Sequence, residues 1–137
     1  SGAFETLQPC ADSLSTGCYI SWRTFKRGYE PKQTAPDIVV TNPLSWAVND
    51  EEYVSQEENV GAVIRPFEEI IPAASDAQVH GPVLWASKPK FPGSWLLTGQ
   101  NFHIGDMNIY YMNIRENVAL RSQVFLNGGE LEQETDK

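Results

Sequence analysis

The segment from Trp95 to Asn113, WLLTGQNFHIGDMNIYYMN, changes its hydrophobic period part-way along. Trp95 to Thr98 (WLLT) is a continuous apolar run of strand type, ended by the turn former Gly99. Beyond Asp106, the residues Met107, Tyr111, Ile114, Val118 and Phe125 recur at spacings of four, three, four and seven. That spacing places them on one face of a helix. Asp106 is a suitable N-cap and complements the positive end of the helix dipole. Gly128-Gly129 is a natural stop, beyond which 130–137 is expected to fray. The order predicted is strand, glycine turn, His103, capped helix.

Upstream, the apolar runs are short and of strand type. Cys18 to Phe25 (CYISWRTF) is rich in β-branched and aromatic residues and reads as a strand. Arg27 to Pro36 is a loop, and Asp37 to Thr41 (DIVVT) a buried strand that stops at Asn42-Pro43. Trp46 to Glu58 is polar without a period, Asn59 to Phe67 is a second apolar patch, and Val83 to Ser87 (VLWAS) is another strand. A free-standing doubly wound domain would alternate strands and helices from the start. Strands dominate here until one amphipathic helix closes the chain. The expected fold is therefore α/β (α+β as an isolated piece), with residues 1–137 a single domain or a fragment.

Composition narrows the function. Over 137 residues, 41% are hydrophobic and 20% charged, a globular balance long enough for a core. The net charge of −8 repels a phosphate backbone, and Lys26, Arg27 and Lys32 make only a short basic cluster, so nucleic-acid binding is not expected. No apolar run approaches a membrane span, and no leader-type stretch opens the sequence. The chain begins Ser1-Gly2-Ala3, which favours something upstream being missing. Cys10 and Cys18 lack the close partners that a metal site needs. A local disulfide, implying an oxidising compartment, and two buried free thiols both remain open.

His103 is the candidate for chemistry. A histidine on the loop after a late strand, just before a final helix, stands where α/β-hydrolases place their general base. Imidazole titrates near neutrality, so it can take a proton from a serine and return it to a leaving group. His80, in VHGP, reads as an exposed turn residue.

Several blocks together resemble the bacterial family known as domain of unknown function 3089 (DUF3089), a group assigned to the α/β-hydrolases. They are PCADSLSTGCYISWRTF (Pro9 to Phe25), TNPLSW (Thr41 to Trp46) and NVGAVIRPF (Asn59 to Phe67). VLWASKPKFPG (Val83 to Gly93) and GQNFHIGDMNIYYMNIRENVALRSQVF (Gly99 to Phe125) follow in the family's order. The match is to the family's C-terminal part. The resemblance implies an esterase-like serine hydrolase with His103 as catalytic base and no metal or organic cofactor. Family members carry an upstream Gly-x-Ser-x-Gly elbow, and this sequence contains none, so the nucleophile half is absent from it. The implied partners are a small ester-like substrate and the missing N-terminal half, or a self-associating copy. The implied source is bacterial, periplasmic or secreted if Cys10 and Cys18 are bridged.

The acid that would orient His103 has several candidates. Asp50 is the first choice, Asp106 the alternative if it is not simply a helix cap, and Asp12 a third; Asn42 stands where an acid might be expected. Trp22, Trp46, Trp85 and Trp95 support a rival identity, a non-catalytic accessory module binding carbohydrate or protein. Each lies in an apolar run or beside a proline turn, which favours core or pocket wall instead.

Overall fold

The computed structural model describes residues 7–31, 38–64, 69–89, 102 and 106–128. These form five short strands in two sheets followed by one main helix, an α+β arrangement. The strands are β1 (Thr24–Lys26), β2 (Ala62–Ile64), β3 (Glu69–Ile71), β4 (Gln78–His80) and β5 (Val83–Ala86). The helices are α1 (Asp106–Ile109) and α2 (Tyr111–Leu126), with a single 3₁₀ turn at Gln56–Glu58.

β5 holds the larger sheet together because its continuous apolar run can be covered on both faces. It runs parallel to β1, with Thr24 opposite Leu84 and Lys26 opposite Ala86, and antiparallel to β4, with Val79 opposite Leu84. Gly81-Pro82 joins β4 to β5. Gly81 takes φ 59°, the positive first position that a two-residue turn of type II′ requires. One sheet face, including Val79, Leu84 and Ala86, enters the core with Val40, Leu44, Trp46, Phe102, Ile109, Tyr110 and Ile114. The second sheet pairs β2 with β3 antiparallel, Val63 opposite Ile70.

Of two expected strands, one is cut short and the other does not form among its described residues. From Cys18 to Arg23 the backbone bonds reach different neighbours in turn: Tyr19 exchanges bonds with Gln8 and Cys10, and the Ser21 carbonyl accepts from Thr41 N–H. No single ladder forms until β1. Ile38 to Val40 stay outside any strand, and Thr41 makes only an isolated bridge to Val48. There the chain turns back, the Asn42 carbonyl accepting from Trp46 N–H at 2.6 Å while Trp46 adopts φ 64°. Asp37 and the Trp95–Thr98 run lie outside the described residues. β3 and β4 are three residues each, too short to show an alternating pattern, and His80 is the half-buried last residue of β4 rather than an exposed turn residue.

The helix exists as predicted, but it is broken and turned. Tyr110, at φ −113° and ψ 23°, separates α1 from α2. The segment 58–61 lies against this break and takes its backbone groups. Asn59 Nδ2 donates to Ile109 O at 3.1 Å, and Met112 N–H donates to Gly61 O at 2.9 Å. Asn113 accepts from Val60 N–H at 2.7 Å and donates to Glu58 O at 2.9 Å. The buried face of α2 is therefore Asn113, Ile114, Asn117 and Val124. Of the apolar stripe read from the sequence only Ile114 is buried; Met107, Tyr111, Val118 and Phe125 are exposed, Phe125 at 67%. The amides win the interior because each satisfies backbone groups that would otherwise be buried unpaired. Gly61 makes the close approach possible: a Cβ there would overlap the Ile70 side chain and stand 3.1 Å from Met112 Cγ.

Cys10 and Cys18 are joined in a disulfide, which settles the two readings of the pair. The loop they close is fastened to α2. Arg121 Nη1 donates to Ser15 O at 2.6 Å, its Nη2 to Asp12 O at 2.8 Å, and Asn117 Nδ2 to Ser13 O at 3.0 Å. A secreted or periplasmic setting is compatible with this bridge. Among the described residues no helix is long and apolar enough to cross a membrane.

Candidate functional site

Thr24 ties the sheet to the start of the terminal helix. Its carbonyl accepts from Phe102 N–H at 3.0 Å, and its own N–H donates to Asp106 Oδ1 at 2.9 Å. Phe102 and Thr24 are fully buried. Two residues flanking 103–105 are thus bonded to one residue of β1, at its edge away from β5. Thr24 Oγ1 is buried and has no hydrogen-bond partner among the described residues. His103 itself lies outside the described residues.

At the other end of β1 and β5 the fold assembles a cluster that sequence reasoning missed. Arg27 follows β1 and Ser87 follows β5, so the parallel pairing brings them side by side, and Asp76 sits between them. Asp76 Oδ1 accepts from Ser87 N–H at 2.8 Å and lies 3.3 Å from Arg27 Nη2. Its Oδ2 accepts from Ser87 Oγ at 2.8 Å and from the Tyr53 hydroxyl at 2.9 Å. Burial by itself would raise the Asp76 carboxyl, but the Ser87 N–H and hydroxyl, the Tyr53 hydroxyl and the Arg27 charge together hold it below the usual carboxylate range. The hydrogen bond to Asp76, with burial, pushes the Tyr53 phenol up. The Arg27 guanidinium also stands 5.0 Å above the Tyr53 ring and 5.8 Å from that of Trp85.

The chemistry open to this cluster follows from its lone pairs. A carboxylate offers about four acceptor positions. Three of those of Asp76 accept hydrogen bonds, and Arg27 Nη2 stands 3.3 Å from Oδ1 as an ion pair. Asp76 is a fixed anion that positions Arg27, Tyr53 and Ser87, not a proton carrier. Tyr110 completes the node from the core side, donating from its hydroxyl to Asp76 O at 2.7 Å. Complete burial, then the Asp76 and Asp106 charges, push that phenol well above its ordinary value. The sequence signal that could have found the cluster is faint: one carboxylate within AASDA, a run of small residues. Its partners at positions 27, 53 and 87 are too far apart in sequence to be associated with it.

The predicted acids fall in different surroundings. Asp50 is exposed and its Oδ1 caps Glu52 N–H at 3.0 Å. Asp106 opens α1 and bridges to β1 through Thr24, more than the simple cap expected of it. Asp12 is exposed in the disulfide loop; Leu14 N–H above all, with the Ser15 hydroxyl, lowers its pKa. Asn42 is buried, accepting from Leu44 N–H at 2.8 Å and donating to Ala77 O at 3.3 Å, a structural knot.

Of the tryptophans, Trp22 and Trp85 are half-buried, and Trp95 lies outside the described residues. Trp46 is buried, and Trp22 packs edge-on against Trp46 and Tyr110 with centroids 6.3 and 6.4 Å away. His80 stacks on Trp85 at 3.7 Å and reaches Glu30 Oε1 at 2.9 Å. Among the described residues no group of three His, Cys, Asp or Glu side chains could hold a metal ion. Comparisons of the chain with protein-family models, with curated proteins and with solved structures found no match.

Proposed function

We propose that this chain is the histidine-bearing C-terminal segment of an esterase-like serine hydrolase, in which His103 is the general base and a serine outside this chain is the nucleophile. The observation that supports it is the clasp on Thr24, where Phe102 N–H and the Asp106 carboxylate engage the C=O and N–H of one strand residue. A general base needs a short loop braced between a strand and a helix, because a misplaced imidazole loses proton transfer. The serine would attack an ester carbonyl, His103 would take its proton, and backbone N–H groups would hold the oxyanion. The proton then passes to the leaving alcohol, and water releases the acyl group with His103 again as base. Asp106 and Asp50 are the candidates for orienting the ring; the Asp76 carboxylate is already engaged by Ser87, Tyr53 and Arg27. The test is hydrolysis of short p-nitrophenyl esters by the gene's full-length product, by that product with His103→Ala, and by this chain alone. Activity is expected only in the full-length protein, falling by about three orders of magnitude or more with His103→Ala. Equal rates for the full-length protein and its His103→Ala variant would overturn the proposal.

A further inference from the structure

The exposed apolar stripe of α2 borders a groove of about 510 Å³ between that helix and the disulfide loop. Ile20 and Trp46 line it, Ile114, Val118, Phe125 and Leu126 form its helical wall, and the Cys10–Cys18 bridge faces them. From Ile114 to Phe125 the helix rises about 16 Å, at 1.5 Å per residue. That is close to half of a bilayer's ~30 Å hydrocarbon core, the reach of one acyl chain. Two of the polar side chains along the wall are already engaged. Asn117 donates to Ser13 O and accepts from Arg121 Nε, and Ser15 Oγ bonds within its own loop. Most of the remaining lining is apolar, which suits an alkyl chain better than a peptide.

Charge selects the head group. In a chain of net charge −8, Arg121 is the one charged residue among the described residues lining the groove. Its guanidinium lies 5.5 Å from the Trp46 ring centre and uses three of its five N–H groups on Asn117, Ser15 and Asp12. One N–H on each Nη is left over. The Asp12 carboxylate does not line the groove; its Oδ1 accepts from Leu14 N–H and from Ser15 N–H and Oγ, and its charge acts on Arg121 from outside the groove. We propose that this groove binds a single-chain amphiphile with an anionic head, of the long-chain fatty-acid type, with the chain along α2 and the carboxylate at Arg121. This holds whether or not His103 is a catalytic base.

The experiment titrates this chain with dodecanoate below its micelle concentration, followed by calorimetry and by tryptophan fluorescence, since Trp46 lines the groove. Saturable binding at one site is expected. Val118→Glu, a change at an exposed position, should weaken it about tenfold or more, and Ile70→Glu on the exposed face of β3 should leave it unchanged. Arg121→Gln should weaken dodecanoate by about tenfold but spare dodecanol, and Arg121→Lys should retain most of the affinity. The proposal fails if the wild-type chain shows no saturable binding, or if Ile70→Glu loses as much as Val118→Glu. It also fails if sedimentation reveals a dimer that Val118→Glu abolishes and dodecanoate does not compete with, since the stripe is then an interface between copies.

Discussion

Replacing Asp76 by asparagine keeps its volume and removes its charge, so the loss measures what the anion contributes. Three hydrogen bonds converge on it, from Ser87 N–H, Ser87 Oγ and the Tyr53 hydroxyl. A charge-assisted bond is roughly twice as strong as a neutral one, so each downgrade costs about 1 kcal/mol, about 3 in all. The Arg27 pair at 3.3 Å adds about 1 kcal/mol at most, because the Arg27 side chain is 30% exposed and its charge is screened. Asp76→Asn is therefore expected to destabilise by about 3–4 kcal/mol. With a urea slope of about 2 kcal/mol/M, the unfolding midpoint followed by tryptophan fluorescence should fall by about 1.5–2 M at pH 7. The sign of the pH dependence is fixed as well. The folded Asp76 pKa lies below its usual value of 3.8, so its contribution is present above that value and is lost as pH falls through the lower folded one. The gap between wild type and variant should hold from pH 7 to about 5 and narrow below about pH 4. A loss under about 1 kcal/mol at pH 7, or a gap that does not narrow in acid, would refute the account of Asp76 as a buried, ionised organiser.

Two further outcomes test how the helix and the disulfide loop are packed. Gly61→Ala should cost about 1–3 kcal/mol by forcing β2 away from Ile70 and Met112, read as a lower urea midpoint; no change would mean that the close approach of 58–61 to α2 is not maintained. Replacing Cys10 and Cys18 together by serine opens a loop of sequence separation 8, which by chain entropy should cost about 2.5 kcal/mol, seen as an equal loss on adding reductant to the wild type. An unshifted midpoint in reductant would mean that the loop is held by Arg121 and Asn117 alone.

The features readable from the sequence were those carried by neighbours in the chain. VLWA announced a strand because a continuous apolar run needs cover on both faces, and it became the central β5. The spacing after Asp106 announced a helix, and the helix is there from Asp106 to Leu126 with a break at Tyr110. What the spacing did not carry was which side faces inward. The apolar stripe has the period of a buried face, yet Asn113 and Asn117 occupy the interior. Segments 58–61 and 13–15, about fifty and a hundred residues upstream, bring backbone groups that those amides satisfy. The candidate site divides in the same way. His103 and Asp106 stand out because their loop and helix are local, whereas Asp76 becomes an organiser only once β1 and β5 lie parallel and place Arg27 beside Ser87. Periodicity is a property of a few successive residues and survives in the sequence. The identity of the buried face, and the partners of a lone carboxylate, depend on which distant segments arrive with unpaired groups, and that is decided by the tertiary fold.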